Sequence, residues 1–239
     1  MSTKENIDIL NQLRNYFQLI IQSIDNEELK SDSDENCSDM IRLAEQKNSW
    51  FTKGAISSAA KAWKEALNSE DIESWVQSIQ KVENSKIVGV IMAGNIPFVG
   101  LHDAITVILS GHKLKAKLSS KDEVLMTWIL NNLAKDFPFL KENILINQSL
   151  KDIEFLIATG TDNSARYFEA YFKDVPKIIR KNRTSISIID GDETEQELRQ
   201  LADDVFLYFG LGCRNVTKVY VPRSYDLDHL FKAFSQVTG

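Results

Sequence analysis

The sequence predicts an α/β protein built on a parallel sheet, and two observations lead to that prediction. The first is a change of texture near residue 86, after which short apolar runs alternate with amphipathic stretches of helical length. The second is the first run itself, Ile87 to Ala93, which is almost uniformly apolar. Such a run is typical of a strand buried on both faces, as the strands of parallel sheets are. Strand–helix–strand repeats of these lengths need right-handed crossover connections, and those connections join parallel strands.

Helices are predicted before this change of texture. Apolar residues recur at helical spacing over 5–25, and the pattern returns over 38–47, 57–67 and 71–81. A polar stretch from Leu29 to Ser38 is predicted to be a loop, with Cys37 as an incidental thiol within it. The tryptophans of this part are interpreted as core anchors: Trp50, Trp63 and Trp75.

The alternation after residue 86 defines the other elements. Strands are predicted at 87–93, 114–118, 144–146, 155–158, 185–189 and 219–221. Helices are predicted at 101–109, where Gly111 closes the helix, and at 123–137, 164–172, 193–209 and 227–234.

Composition excludes several classes of protein. The 239 residues are 43% apolar and 26% charged with a net charge of −6, which is ordinary for a globular protein and indicates no nucleic-acid partner. The two cysteines do not make a disulfide framework and fit a reducing cytosol. The first residues lack the form of a signal peptide, and no apolar run reaches the ~18 residues that a membrane span needs. We therefore expect a soluble cytoplasmic protein without a membrane span.

Candidate ligand-binding residues follow the ends of three predicted strands. Asn95 follows the first, Lys117 ends the second, and Thr159-Gly160-Thr161 follows the fourth. In open α/β sheets, ligands bind beyond the carboxyl ends of the strands. The sequence has no G-x-G-x-x-G fingerprint, which disfavours an ordinary Rossmann dehydrogenase. The helix that begins near Asp162 could still hold a phosphate at its N-terminus, since such ends bind anions without a glycine fingerprint.

Cys213 is the candidate nucleophile. It lies in the turn Gly210-Leu211-Gly212-Cys213, between a predicted amphipathic helix and a predicted strand. The glycines allow a positive φ and a close approach by another group, and a thiolate is a strong nucleophile. The structural alternative is that Cys213 is simply a small buried hydrophobe.

Four segments, taken in order, resemble the aldehyde dehydrogenase superfamily, and within it the acyl-CoA reductases of bacterial bioluminescence. Ile91 to Phe98 is similar to the segment that places an asparagine before a proline and aromatic turn. Gly111 to Lys117 resembles the strand whose lysine contacts the cofactor ribose, and Ile157 to Thr161 the segment beside the pyrophosphate. Phe209 to Cys213 resembles the nucleophile loop. The resemblance covers about residues 85–225.

The resemblance implies NADPH-dependent reduction of a fatty acyl-CoA, or of an acyl-protein thioester, to the aldehyde through a thioester on Cys213. Asn95 is then an oxyanion donor, while Lys117, Thr159, Gly160 and Thr161 bind the cofactor; NADH in place of NADPH stays open, and no metal ligand is implied. It also implies N-terminal helices over 1–84, a cofactor domain over 85–179 and the start of a catalytic domain over 180–239. Family members continue further, so the chain looks truncated, and the full-length protein is expected to be a homo-oligomer.

One segment departs from the family pattern. Hydrolytic members carry a glutamate-led segment ahead of the strand that precedes the nucleophile helix, and that glutamate is a general base for water. Here the segment reads Ile178 to Thr184 and contains no carboxylate. The lack is expected of a CoA-linked reductase, in which the thioester must survive until it meets a hydride.

Other interpretations stay open at this point. The enzyme could be a short-chain acylating aldehyde dehydrogenase or an acyl-phosphate reductase, or the chain could be a cofactor-binding fragment without catalysis. The basic residues of 177–183 are interpreted as a solvated surface, with a phosphate of CoA or NADPH as the lesser alternative. His102 with Asp103 is a weak candidate for a base that activates Cys213.

Overall fold

The computed structural model describes residues 1–25, 32–80, 82–147 and 149–236. It divides into two compact units, Met1–Lys181 and Asn182–Gly239. Each unit has its own sheet and its own helices.

The first unit contains a five-stranded sheet in which every neighbouring pair is parallel. Its strands are β1 (Ile87–Ile91), β2 (Lys113–Lys117), β3 (Ile144–Ile146), β4 (Phe155–Thr159) and β5 (Lys177–Arg180). Its helices are α1 (Thr3–Asp25), α2 (Asp32–Lys47), α3 (Lys53–Ala66), α4 (Ser69–Ser78), α5 (Leu101–Leu109), α6 (Glu123–Asp136) and α7 (Asp162–Tyr171). The α/β fold class predicted from the sequence is confirmed.

The strand order is β3-β2-β1-β4-β5, so β1 is central. The chain first adds β2 and β3 on one side of β1 and then adds β4 and β5 on the other side. This reversal is a topological switch point, and in open α/β sheets ligands bind at such a point, beyond the carboxyl ends of the strands. β1 pairs on one side with β2, Ile91 opposite Lys117, and on the other with β4, Ile91 opposite Ala158. The segments that follow β1 and β4 therefore meet at the same place.

The N-terminal helices form an apolar core of their own around Phe17. The Phe17 ring stacks on Trp63 with centroids 5.8 Å apart and meets the edge of Phe98 at 5.3 Å. Phe98 lies just after β1, and both phenylalanines are fully buried. This contact fixes the segment after β1 against α1.

Two predictions about the N-terminal part are wrong. The loop predicted over 29–38 is helical from Asp32 onward, while residues 29–31 lie outside the described ranges. Cys37 is fully buried in α2 and begins a buried stripe with Met40, Ile41 and Ala44, so the helical pattern starts earlier than its polar neighbours indicated. Trp50 is 52% exposed and is no core anchor, because the adjacent Phe51 takes the buried position.

The sequence also failed to predict β5. This edge strand is only four residues long and begins and ends with a basic residue. Its basic residues are not simply solvated: Lys177 Nζ donates to the carbonyl of Phe172 at 2.8 Å, and Arg180 binds Asp103. Lys181 lies 3.4 Å from Glu169 in a more exposed pair.

The second unit is a β-α-β arrangement with one further helix. Its elements are β6 (Ser185–Ile188), α8 (Glu195–Phe206), β7 (Val216–Tyr220) and α9 (Leu227–Phe234). β6 and β7 pair in parallel, and the small core between helices and strands consists of Ile189, Leu198, Leu230 and Ala233. A capping box between Thr194 and Glu197 starts α8, which ends three residues earlier than predicted. A 3₁₀ turn, Leu207–Gly210, takes its place.

Candidate functional site

The turn after β1 carries Asn95, which is partly buried. Two glycines of this turn lie against other groups: a methyl group added at Gly94 would lie 2.4 Å from Ser119 Oγ, and one at Gly100 would lie 2.6 Å from Met92 Cγ. Phe98 has a left-handed backbone with φ 59°. A non-glycine residue is held in that region only where its surroundings fix it, and here the buried Phe98 ring does so. The backbone around Asn95 is therefore held at several points.

Lys117 ends β2 beside this turn, and its side chain is exposed. Its carbonyl oxygen accepts the Met92 N–H at 3.0 Å, which ties the end of β2 to the start of the Asn95 turn. Two residues earlier, Lys115 is buried and donates to Asp152 and to the Ser149 carbonyl. Lys115 is thus a structural lysine, whereas Lys117 has an ammonium group that can meet a ligand.

Thr159, Gly160 and Thr161 connect β4 to α7. The Gly160 N–H donates to the Arg180 carbonyl at 3.1 Å, and a methyl group at Gly160 would lie 3.0 Å from Ser164 Cβ. Thr161 is the N-cap of α7 and accepts the Ser164 N–H at 3.3 Å. The first N–H groups of a helix carry partial positive charge, so the predicted phosphate site at this end of α7 stays a prediction.

The structure thus places Asn95, Lys117 and Thr159–Thr161 at the carboxyl edge of one sheet, on both sides of its switch point. In open α/β sheets ligands bind at this edge. The sequence predicted a nicotinamide cofactor here, bound by Lys117 and Thr159–Thr161. Their roles as ligands of that cofactor stay predictions.

An ion pair that the sequence analysis did not predict lies at the same edge. Arg180 Nη1 donates to both carboxylate oxygens of Asp103 at 2.5 Å, joining the end of β5 to the first turn of α5. Burial alone would raise the pKa of Asp103, but the His102 imidazole at 3.7 Å and the hydrogen bonds from Arg180 hold that pKa below its usual value. The His102 ring stacks on Trp75 with centroids 5.6 Å apart. Asp103 is therefore an ionised partner of Arg180 and is poorly suited to act as a base.

In the second unit, Cys213 is exposed on the turn between the 3₁₀ segment and β7. Tyr208, Phe209 and Gly210 all have positive φ, between 54° and 71°, so the chain reverses sharply ahead of the thiol. The structural alternative from the sequence, a buried cysteine, is wrong for Cys213.

Asn215 holds this turn together, and sequence reasoning missed it. Its buried side-chain amide donates to the carbonyls of Asp204 at 2.8 Å, Leu207 at 3.1 Å and Val205 at 3.3 Å, all at the end of α8. Gly212 leaves room for it, since a methyl group there would lie 2.3 Å from Asn215 Oδ1. The available signal was an asparagine two residues after a cysteine that follows two glycines, at 210 and 212.

The described residues offer neither a metal site nor a membrane span. Within residues 1–25, 32–80, 82–147 and 149–236, no three His, Cys, Asp or Glu side chains cluster where they could hold a metal ion. Over the same ranges, no helix has the length and apolarity needed to cross a membrane.

Comparison with known proteins identifies the fold. No protein-family model and no curated protein matches the sequence. Solved structures do match: an E. coli NADP-dependent enzyme is 16% identical with a TM-score of 0.67, over 99% of this chain and 51% of that one. A propionaldehyde dehydrogenase of a Clostridium phytofermentans fucose-utilisation microcompartment is 9% identical with a TM-score of 0.68, over 99% and 55%. A Methanocaldococcus jannaschii glyceraldehyde-3-phosphate dehydrogenase complexed with NADP is 14% identical with a TM-score of 0.59, over 97% and 57%.

At identities this low the likeness establishes the fold alone. The chain has the α/β parallel-sheet fold of the cofactor-binding part of aldehyde dehydrogenases, followed by a second α/β unit. It spans about half the length of the solved structures that it matches.

Proposed function

We propose that this chain carries the cofactor site and the nucleophile of an NADPH-dependent reductase that converts a fatty acyl-CoA, or another acyl thioester, to the aldehyde. The observation that carries the proposal is the exposed thiol of Cys213 on a turn braced by Asn215. An exposed thiol on an ordered loop suits attack on a thioester. The other unit of the same chain has a dinucleotide-type sheet with the Asn95 amide at its switch point.

In the proposed first step, the Cys213 thiolate adds to the carbonyl carbon of the acyl thioester. The bond between that carbon and the carrier sulfur breaks, and the carrier thiolate leaves and takes a proton from solvent. The acyl group is then bound to Cys213 as a thioester. The Asn95 side-chain amide and the Cys213 backbone N–H are the proposed donors to the oxyanion, each contributing about 3 kcal/mol if well aimed.

A bound nicotinamide cofactor supplies the hydride that reduces the acyl carbon. The chain's part is to hold the thioester through Cys213 and to stabilise the negative oxygen of the resulting hemithioacetal with the same two donors. When that oxygen re-forms its double bond, the bond to Cys213 breaks, so the aldehyde leaves and the thiolate is regenerated. Thr159, Gly160 and Thr161 are proposed to hold the pyrophosphate and Lys117 a ribose hydroxyl or phosphate. NADPH is the proposed cofactor, with NADH as the alternative.

The surroundings of β5 favour reduction over hydrolysis in this proposal. The end of β5 carries the Arg180–Asp103 ion pair, and the stretch from 178 to 184 contains no carboxylate. A general base that would activate water against the thioester is therefore not proposed.

Two alternative kinds of function compete with this proposal. The match to a propionaldehyde dehydrogenase favours a short-chain acylating enzyme as the alternative within the same fold, with an acyl-phosphate reductase beside it. The chain spans only 51% of the E. coli enzyme. The non-enzymatic alternative is therefore a module that binds the cofactor but does not catalyse the reaction. The cytoplasmic location and the homo-oligomer of a full-length protein stay predictions.

The decisive experiment is transfer of a radiolabelled acyl group to the protein. We expect long-chain acyl-CoA to label the wild type and Cys37→Ala, and Cys213→Ala to remain unlabelled while its NADPH fluorescence titration is unchanged. Labelling of Cys213→Ala would refute the covalent mechanism. A comparison of acyl-CoA chain lengths and acyl phosphates separates the enzyme classes, and NADPH binding without aldehyde release would favour the binding module.

A further inference from the structure

Asp122 is a buried carboxyl group for which the preceding sections give no role. Its residue is 2% exposed, and neither carboxyl oxygen has a hydrogen-bond partner among the described residues. It occupies the N-cap position of α6, where an aspartate normally accepts an N–H of its own helix, yet it makes no such side-chain bond. Burying a polar group without a hydrogen bond lowers the stability of the fold, so a buried and unpaired Asp122 needs an explanation.

The neighbours of Asp122 belong to the turn that carries Asn95. A methyl group at Gly94 would lie 3.3 Å from Asp122 Cβ, so the Asp122 side chain packs next to the Gly94 backbone. The Phe98 backbone N–H does not meet hydrogen-bond geometry with the carboxyl, but it acts to lower the pKa of Asp122. Gly94 and Phe98 bracket Asn95, and Phe98 is the residue with the left-handed backbone. Asp122 thus touches the turn at both ends of the segment that presents the amide.

The charge state of Asp122 follows from these surroundings. Burial raises its pKa well above the usual value, and the Phe98 N–H opposes this only in part. No charged group contributes to its pKa. Residues 94–98 contain no titratable side chain, and the adjacent Lys121 and Glu123 are exposed, with Glu123 accepting a hydrogen bond from Asn147. A neutral carboxyl group can remain in this site, whereas a carboxylate would be buried without a counter-charge.

We propose that Asp122 is a positioning residue: as a neutral acid beneath residues 94–98, it fixes the turn and thereby the direction of the Asn95 amide. Ionisation of Asp122 then makes burial unfavourable and releases the turn, so that the oxyanion donor is lost at high pH. The proposal deepens the function proposed above, on which the role of Asn95 rests. The fixing of the turn itself does not depend on any activity.

Hydrogen exchange of the peptide that spans residues 92–101 tests the fixing directly. We expect protection in the wild type to fall as the pH rises from 6 to 10, after correction for intrinsic exchange rates. Asp122→Asn, which is isosteric and cannot ionise, should keep its protection over the same range. Asp122→Ala should exchange faster at every pH. Asp174→Asn, which removes an exposed carboxylate after α7, is the control and should follow the wild type.

Two exchange results would overturn the proposal. One is a pH dependence shared by the wild type and Asp122→Asn; the other is full protection of the turn in Asp122→Ala. A globally unfolded Asp122→Ala protein would leave Asp122→Asn, which keeps the shape of the side chain, as the deciding variant.

An aldehyde-release assay measures the effect of the same Asp122 variants on catalysis. We expect Asp122→Ala to lower kcat at least tenfold with little change in KM, since loss of one oxyanion donor typically lowers kcat by 10²–10³. Asp122→Asn should rescue kcat and remove its decline at high pH. An equal loss in both variants would contradict the positioning role. A wild-type protein without turnover would contradict the proposed function instead, and the exchange experiment would still decide the role of Asp122.

Discussion

Arg180 binds both carboxylate oxygens of Asp103 at 2.5 Å and so connects the last strand of the first unit to the helix that follows its central strand. The Asp103 side chain is only 14% exposed, and that of Arg180 is 38% exposed. The pair lies at the carboxyl edge of the sheet, where the Arg180 carbonyl also accepts the Gly160 N–H. It therefore stabilises the edge at which the cofactor is proposed to bind.

Replacing Arg180 by glutamine should lower the free energy of unfolding by about 1–2 kcal/mol. The change leaves a mostly buried carboxylate without its cation, and the partial exposure of Arg180 places the loss below that of a fully buried pair. Urea denaturation followed by tryptophan fluorescence measures it. Lys181→Gln removes the more exposed pair with Glu169 and should change stability by less than about 0.5 kcal/mol. Equal effects of the two substitutions would contradict a special role for Arg180.

Asn215→Ala should destabilise the second unit and loosen the Cys213 turn. The substitution leaves three carbonyls at the end of α8 without the donor they share, and an unpaired buried acceptor costs about 1–3 kcal/mol. Asn215→Asp should be worse, because it places a carboxylate against carbonyl oxygens. Hydrogen exchange of the peptide that spans residues 204–215 measures the loosening, and Arg214→Ala, at an exposed neighbour, is the control. Unchanged exchange in Asn215→Asp would refute the bracing role.

The sequence was sufficient for the elements that are specified locally. β1 was predicted because a central parallel strand is apolar on both faces, and the end of α5 because Gly111 has φ 82°. β5 was missed because two isoleucines between basic residues give no such signal, and its pairing partner lies across a helix in the chain. α2 was predicted to begin too late because its exposed face is polar from the start.

In the candidate site, too, only the locally specified positions could be predicted from the sequence. The positions of Asn95 and Thr161 after strands follow from local pattern and from the general geometry of parallel sheets. The buried position of the Asp122 side chain depends on Gly94, which lies 28 residues earlier in the chain. The Arg180–Asp103 pair joins residues that are 77 apart. Contacts of that range are set by tertiary packing, so sequence periodicity carries no signal for them.

Gly160→Ala should weaken NADPH binding about tenfold if the β4–α7 turn holds the pyrophosphate. The added methyl group would lie 3.0 Å from Ser164 Cβ and 3.3 Å from the Phe168 ring, so the turn and the first residues of α7 must shift. Fluorescence titration with NADPH measures the dissociation constant. Gly54→Ala is the matched control, because its methyl group meets nothing closer than 3.7 Å and alanine favours a helix. An unchanged dissociation constant in a folded Gly160→Ala protein would remove this turn from the proposed site.

Asp122→Asn and Asp103→Asn should change the pH dependence of stability with opposite signs. Burial raises the pKa of Asp122 above its usual value of 3.8, so the unfolded chain releases this proton first as the pH rises. The wild type therefore loses stability above about pH 4 until the folded carboxyl ionises. Over that interval the free energy of unfolding of Asp122→Asn should rise relative to that of the wild type. For Asp103, burial opposes ionisation, but the nearby His102 imidazole and the hydrogen bonds from Arg180 lower the pKa below 3.8. Its contribution is present above about pH 4 and is lost as the pH falls, so the deficit of Asp103→Asn should shrink in acid.

Urea denaturation at intervals from pH 3 to pH 9 measures both differences against the wild type. Asp174→Asn, which removes an exposed carboxylate after α7, is the control for a general effect of net charge. If Asp122→Asn gained nothing between pH 4 and pH 9, the carboxyl would have to be ionised and paired in the folded protein, because only a counter-charge could offset its burial. In that case the turn around Asn95 would rest on an ion pair, and the pH dependence proposed for it would be wrong.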